Sequence, residues 1–351
     1  MRMILSTATR SEAAGFNLPP RISPVTDDGH RPEFSVMIPT YRPSEYLLDT
    51  LRGVLAQDPG PAHMQIGVVD DASPAGDVAA LVRRADPDGR ITVHRAAVNL
   101  GLGGNWNRSI ELARGQLVHI LHQDDLVRPG FYRTLGTALR SAPQAGMAFC
   151  RCDFIDAAGS HVGATHRRSL RAGVMRDWLA RISEATRVQC PGVVVRRATY
   201  ERLGGFRTDL HYAVDWEMWV RIAADGAVWY EPRVLATYRK HDANATTRLE
   251  AGEVTDGDML AAIRIFSQHL PAARREQLLG RTYREFVRLR LRHSAKLAGQ
   301  VADERLAAQV GLARRLMQEF PAAASWPNRW RLRRLERRLP AGFVGAERSI
   351  P

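Results

Sequence analysis

Between Phe34 and Leu139 short β-prone runs alternate with helix-period segments, and this alternation limits the fold more than any other feature of the chain. Phe34-Ser35-Val36-Met37-Ile38 reads as a strand that Pro39 should stop. Ser44 can cap a helix carrying Leu47, Leu48, Leu51 and Leu55 at helical spacing. Ile66 to Val69 and Ile91 to Val93 are further strands, followed by helices through Leu81 and from Asn105 to Ala113. Leu117 to Leu121 is a buried-type strand, and beyond Pro129 a helix turns Phe131, Leu135 and Leu139 to one side. The expectation is an α/β fold, a mainly parallel central sheet with helices on both faces. Chemistry in such sheets collects at the carboxyl ends of the strands. Thr40-Tyr41, Asp70-Asp71 and Asp124-Asp125 each follow directly on a strand here.

Beyond Met147 the expected strands are shorter: Met147 to Cys150, Val193 to Val195, Val228 to Tyr230 and Leu235 to Tyr238. Cys150-Arg151-Cys152 reads as a strand edge, and a strong amphipathic helix runs from about Asp215 to Ala224. After about Glu250 the composition becomes helical, rich in Ala, Leu and Arg, with breaks at Pro271, Pro321 and Pro327. Three segments are therefore expected: a mobile leader over 1–32, a catalytic domain over 33–250 and a basic helical C-terminal region over 251–351. Charge divides the same way. The chain holds 50 Lys+Arg against 37 Asp+Glu, a net of +13; residues 271–351 hold 18 and 7, a net of 18 − 7 = +11, which leaves +2 for the rest. No run approaches the roughly 18 apolar residues of a spanning helix, and no secretory signal pattern opens the chain. Three cysteines without paired CxxC spacing argue for buried or free thiols rather than a disulfide scaffold or structural zinc.

Adjacent carboxylates at a strand's carboxyl end repel each other unless something offsets the charge. Asp124-Asp125 could hold a divalent cation, since Mg²⁺ takes one or two protein carboxylates together with substrate phosphates. They could equally cap the helix that follows Pro129. The pair is not isolated, however. In order along the chain stand Ser35-Val36-Met37-Ile38-Pro39-Thr40-Tyr41, Val69-Asp70-Asp71-Ala72-Ser73, Asn99-Leu100-Gly101 with Asn105 and Asn107, and Ala113-Arg114-Gly115. His122-Gln123-Asp124-Asp125, Gly204-Gly205-Phe206, Asp215-Trp216-Glu217-Met218-Trp219 and Tyr238-Arg239-Lys240-His241 complete the series. Over about residues 33–245 this series resembles the family 2 glycosyltransferases, whose nucleotide-sugar-binding fold is called GT-A. The resemblance implies that fold, with the C-terminal helices as an extension to it.

It also implies roles. Pro39, Thr40 and Tyr41 would lie beside the nucleotide base, where an aromatic face can stack, and Asp71 would accept the imide N–H of uracil or thymine. Asp70 would be a turn residue. Asn99 and Asn105 would fix the loop near the donor phosphates, and Asp124 would face the ribose and metal region. Asp125 would be the principal ligand of Mg²⁺ or Mn²⁺, and His241 would approach the diphosphate and the metal. Arg239 is open between assisting the leaving phosphate and a structural task. The family's Glu-Asp pair aligns with Val214-Asp215, which makes Asp215 the general base and leaves the glutamate missing. Glu217, about 200° round the same helix, cannot share that task and is expected to be solvent-side or salt-bridged.

The implied reaction is inverting transfer of a sugar from a UDP- or dTDP-linked donor to a hydroxyl of a glycan, lipid-linked saccharide or other glycoside. Envelope polysaccharide or glycoconjugate synthesis is the expected setting. A sugar-phosphate nucleotidyltransferase is the enzymatic rival, but it should carry a glycine-rich, lysine-bearing loop where this chain has Pro39-Thr40-Tyr41. A basic nucleic-acid-binding protein is the rival from another class, and the near-neutral front segment counts against it. In the tail, Leu332, Leu335 and Leu339 share a helix face opposite Trp330, Arg333, Arg334 and Arg337. Such a helix either lies on an anionic membrane or packs its leucines on the catalytic domain and leaves its arginines in solvent. A cytoplasmic chain, peripheral on the inner face of the membrane through these helices, is the expected location.

Overall fold

Phe34–Thr40 forms strand β1, buried along its whole length, and it runs through Pro39 rather than stopping there. The reason lies in its neighbours. In a computed structural model of the chain, which describes residues 18–26, 29–74, 77–244, 249, 254–298 and 303–339, β1 pairs with β4 (Leu117–Ile120) only from Phe34 to Met37. Position 39 is therefore never asked for the N–H that proline lacks. On the other side β1 stays in parallel register with β2 (Met64–Asp70) from Phe34↔Met64 to Thr40↔Asp70. The expected leader residues 1–17, and the last residues, 340–351, lie outside the described chain. Residues 18–26 run against this domain, with Ile22 buried and the Pro20 carbonyl accepting the Gly205 N–H at 2.7 Å.

The sheet is β3 (Thr92–Arg95), β2, β1, β4, β9 (Val193–Arg196), β6 (Ala145–Ile155), β10 (Ala227–Arg239) and β5 (Leu126–Val127), in that spatial order. Following the ladders across, β9 and β5 run against the other six, so the sheet is mainly parallel. Short strands β7 (His161–Ala164) and β8 (Gly173–Val174) attach to β6 and β10. Two expectations change here. The separate strands expected at Val228–Tyr230 and Leu235–Tyr238 are one strand, β10, whose register against β6 shifts between Glu231 and Val234. Pro232 and Arg233 form that irregularity, a bulge that tolerates proline and hides the period of two. The strand that carries Cys150 and Cys152 is not an edge strand, because β6 pairs with β9 from Met147 to Phe149 and with β10 along its length; all three cysteines are free and buried.

Helices α1 (Tyr46–Leu55), α2 (Val78–Ala85), α3 (Gly101–Leu112) and α4 (Phe131–Ser141) return the chain between the early strands. Leu47, Leu51 and Val54 of α1 and Phe131, Leu135 and Leu139 of α4 join Val36, Ile38, Val68 and Leu117 in one apolar core. α5 (Trp178–Glu184), α6 (Arg197–Leu203), α7 (Val214–Asp225) and α8 (Val254–Ser267) follow. Gly205 stands where no side chain fits, since a Cβ there would lie 2.2 Å from Asn107 Oδ1. Asn107 uses that proximity to clasp Phe206, accepting its N–H at 2.6 Å and donating to its carbonyl at 2.8 Å.

The chain divides into two compact units. One runs to Trp178 and resumes from Arg187 to Phe266; the other comprises Leu179–Thr186 and everything from Ser267 onward. The second unit is helical, with α9 (Arg275–Leu297), α10 (Asp303–Glu319) and α11 (Trp326–Glu336). Tyr283 stacks on Phe320 within it at 3.6 Å between ring centres. The leucine stripe is spent inside this unit: Leu332 and Leu335 on α11, and Leu339 in the turn past its end, are 8%, 2% and 8% exposed. The alternative in which those leucines enter a membrane is thereby replaced by packing against protein. Among the described residues no helix is long and apolar enough to cross a membrane.

Candidate active site

The carboxyl ends of β1, β2, β4 and β10 carry the polar residues that the sequence pointed to. At the end of β2, Asp71 is 2% exposed, and its Oδ1 accepts the Leu100 N–H at 2.7 Å while Oδ2 accepts the Gly101 N–H at 3.1 Å. Gly101 opens α3, so a buried carboxylate sits on the electropositive end of a helix. Burial, the largest influence, raises the Asp71 pKa against the help of those two N–H groups. Asn99 closes the loop, donating to the Asp71 carbonyl at 3.0 Å. Asp70 makes the turn instead: it accepts the Ser73 N–H at 3.1 Å and pairs with Arg95. Asn105 is buried and donates to the Val69 carbonyl at 3.0 Å, which ties α3 to the same strand end.

At the end of β1, Thr40 is 1% exposed and its hydroxyl donates to the Ile38 carbonyl. Tyr41 is half-buried, and Gln123 clasps its backbone, accepting its N–H and donating to its carbonyl, both at 3.1 Å. Arg42 and Ala72, the residues just past β1 and β2, have φ of +48° and +53°. Left-handed backbone at non-glycine residues costs about 1–3 kcal/mol each and persists where surrounding contacts impose it. Here the Arg42 N–H is pinned by Ser73 Oγ at 3.0 Å.

The third cluster joins residues far apart in the chain. Asp124 Oδ2 and His241 Nε2 are 2.9 Å apart, and the Arg239 guanidinium donates to the Asp124 carbonyl at 3.1 Å. Asp125, 1% exposed, accepts the Arg239 N–H on Oδ1 at 3.0 Å; its Oδ2 has no hydrogen-bond partner and lies 3.4 Å from His122 Nδ1. Burial raises the Asp125 pKa to about 6 despite His122. Tyr46 and Thr50, one turn apart on α1, complete the support. The Arg239 guanidinium lies 4.2 Å over the Tyr46 ring, and the Thr50 hydroxyl approaches the carbonyls of Gln123 and Asp125 at 3.0 and 2.9 Å.

Asp215 is the second residue of α7 and is half-buried. Burial raises its pKa to about 6, although the Trp216 N–H and the nearby His122 favour its charge. His122 stacks on Trp106 with ring centres 5.0 Å apart. Burial opposes its protonation, but Cys190 and Asp125 beside it outweigh that and raise its pKa well above the ordinary value. His122 thus connects the Asp124–Asp125 turn electrostatically to Asp215. Glu217 points elsewhere. It is fully buried and paired through both oxygens with Arg221 at 3.0 and 2.8 Å, so of its two expected environments the structure has the salt bridge, inside the protein.

Motif spacing did not reveal Asp258. This buried carboxylate on α8 accepts three successive backbone N–H groups, from His211 at 3.0 Å, Tyr212 at 2.8 Å and Ala213 at 2.7 Å. Those residues lead directly into Asp215, so Asp258 sets where α7 starts. Nothing local marks it, because its partners lie more than forty residues away. Asp258→Ala should cost about 1–2 kcal/mol of stability, as loss of a helix cap does, measured by urea unfolding. Asp258→Asn, which keeps one acceptor oxygen, should recover part of the loss. Equal stability of parent and alanine variant would show that the three bonds do not hold this turn.

Comparison with other proteins adds the relationship. The chain is 31% identical over 240 residues to an uncharacterized protein of Mycobacterium tuberculosis, covering 63% of this chain and 71% of that one. It is 26% identical over 243 residues to the O-antigen biosynthesis protein RfbC of Myxococcus xanthus, covering 68% of this chain but only 18% of RfbC. Among solved structures, S. aureus TarS in complex with UDP-GlcNAc superposes with a TM-score of 0.63 at 17% identity, over 88% of this chain and 84% of that one. That likeness is one of fold, the GT-A glycosyltransferase fold. Residues 31–250 match the family described as Glycosyltransferase like family 2, and the chain belongs to that family.

Proposed function

We propose that the chain is an inverting transferase that moves a sugar from a UDP- or dTDP-linked donor to a hydroxyl of a glycan or lipid-linked saccharide. Envelope polysaccharide or glycoconjugate synthesis is the setting, and RfbC, named for O-antigen biosynthesis, supports it. A uridine nucleotide is supported by the UDP-GlcNAc bound to TarS. The observation that carries the reading is the junction of Asp124 with His241 at one sheet edge, together with two carboxylates of raised pKa, the buried Asp125 and the half-buried Asp215.

Tyr41 offers its ring to the base, beside the backbone of Pro39 and Thr40. Asp71 reads the imide N–H; each of its oxygens accepts one backbone N–H and retains a lone pair. Asn99 holds the loop on which this depends. Among the described residues no three His, Cys, Asp or Glu side chains converge as a cation site, so an ion here would be held in large part by the donor's own phosphates. Asp125 Oδ2 lacks a hydrogen-bond partner, and Asp124 and His241 bring an oxygen and a nitrogen to the same turn. Mg²⁺ or Mn²⁺ bound together with the donor would take one or two of these carboxylates and complete its shell from water and substrate phosphates. When bound, the ion offsets negative charge on the diphosphate.

Asp215 takes the proton of the acceptor hydroxyl. The hydroxyl oxygen forms its bond to the anomeric carbon as the bond from that carbon to the phosphate oxygen breaks, and the electron pair leaves with the nucleoside diphosphate. One displacement with no covalent intermediate inverts the anomeric centre. A base of pKa about 6 is largely ionised at neutral pH yet still basic enough to accept a proton. The chain works at a membrane surface in this reading, attached through its basic helical unit.

A panel of UDP- and dTDP-sugars with Mn²⁺ tests it, read by slow donor hydrolysis and by thermal shift. At least one donor should raise the melting temperature and be hydrolysed. A folded protein indifferent to every member would sink the reading.

A further inference from the structure

The helical unit carries a groove of about 260 Å³ between α9 and α11. Five cationic side chains line it, Arg292 and Lys296 from one helix and Arg331, Arg334 and Arg338 from the other end of the unit, and no carboxylate does. The floor is apolar, formed by Leu291, Ala295 and Leu335. Two further observations point to an occupant. Arg331, which lines the groove, is only half-buried, and its Nη1 group is buried without a hydrogen-bond partner. A buried unpaired donor is costly, and a guanidinium matches phosphate oxygens through its planar fork. In addition, Trp326 and Trp330 are 76% and 51% exposed although both are large and apolar. Four residues apart on α11, they share one face, and the Arg334 guanidinium lies 5.6 Å over the Trp330 ring.

We propose that this groove binds the phosphate of an anionic phospholipid headgroup, with Trp326 and Trp330 seated in the interfacial layer of the membrane. The argument for lipid over a soluble polyanion is the tryptophan pair. Indole rings settle at the headgroup level, where one end is apolar and the other wet, and a purely electrostatic phosphate site has no use for two of them. Packing of Leu332, Leu335 and Leu339 inside the unit leaves arginine and tryptophan as the surface of α11. The contact is therefore shallow, a docking on headgroups rather than insertion of a leucine face. The proposal rests on the membrane placement in the reading above and not on its transfer reaction.

Cosedimentation of the full-length protein with lipid vesicles tests it. Phosphatidylcholine vesicles containing about 30 mol% phosphatidylglycerol should bind at least about 10-fold more protein than phosphatidylcholine alone, and added salt should weaken the binding. Arg334→Glu with Arg338→Glu reverses two exposed rim charges and should remove that preference. Trp326→Ser with Trp330→Ser should reduce vesicle binding by a similar factor, while leaving donor thermal shift and hydrolysis as in the parent. No preference of the parent for anionic vesicles overturns the proposal. So does vesicle binding that survives the tryptophan pair's removal while a duplex oligonucleotide binds as tightly, because that describes a general polyanion surface. Donor hydrolysis is read without vesicles, so failure here leaves the transferase reading standing, and failure there leaves this one.

Discussion

Asp215→Asn is expected to bind the nucleotide-sugar donor as the parent does and to transfer it roughly 10²–10⁴-fold more slowly, the range over which a positioned general base acts. Asparagine keeps the shape of the side chain and the acceptor for the Trp216 N–H, which Asp215 Oδ1 holds at 2.6 Å, so α7 should begin where it does now. Only the ability to take a proton is lost. The parent's rate should rise with pH through about 6, where Asp215 ionises. Stability should move the other way. A carboxylate whose pKa is higher folded than unfolded takes up a proton on folding, so its contribution is full below the unfolded value near 3.8 and is lost as pH rises through about 6. Asp215→Asn removes that penalty and should melt at a higher temperature than the parent above pH 6. Undiminished transfer by the variant would exclude Asp215 as the base. A variant that is slow but also less stable at pH 8 would show that the side chain serves the fold.

The same residue shows how the chain could be read and where reading stopped. Strand ends were legible because each is local: an apolar run, then Thr40-Tyr41, Asp70-Asp71 or Asp124-Asp125. The sheet does bring those ends to one edge, as parallel topology requires. Long-range pairings were not legible. β10 looked like two strands because Pro232 interrupts its alternation, and only the partner strand β6 carries it across the bulge. Cys150 and Cys152 looked like an edge because nothing in their own neighbourhood announces β10 along β6, or β9 paired to it just before them. Glu217 offered two environments for the same reason: an Arg four residues on is visible, but its carbonyl partners Leu203 and Gly205 arrive from another segment. Asp258 and the face of α11 that turns inward depend wholly on tertiary packing, which hydrophobic period does not specify.

Asp125→Asn should abolish the dependence of donor binding on a divalent cation. The parent, titrated with a UDP-sugar or dTDP-sugar in a calorimeter, is expected to bind more tightly with Mn²⁺ than with EDTA. A factor of about 10–100 is reasonable, since even residues that only support metal ligands alter affinity by that much. Asparagine can still accept the Arg239 N–H through its amide oxygen, so the bond that ties β10 to the Asp124–Asp125 turn survives. What it removes is the charge on Oδ2, which accepts no hydrogen bond and lies 3.4 Å from His122 Nδ1. His241→Ala should have a smaller effect of the same kind, because Asp124 loses the neighbour 2.9 Å away while both carboxylates remain. The comparison separates two explanations of the buried pair. If the cation is what offsets Asp124 and Asp125, Asp125→Asn should bind donor equally with Mn²⁺ and with EDTA, and His241→Ala should keep part of the parent's difference. If the pair only caps the turn, the parent itself will be indifferent to EDTA, and Asp125→Asn will change the melting temperature without changing the affinity for donor.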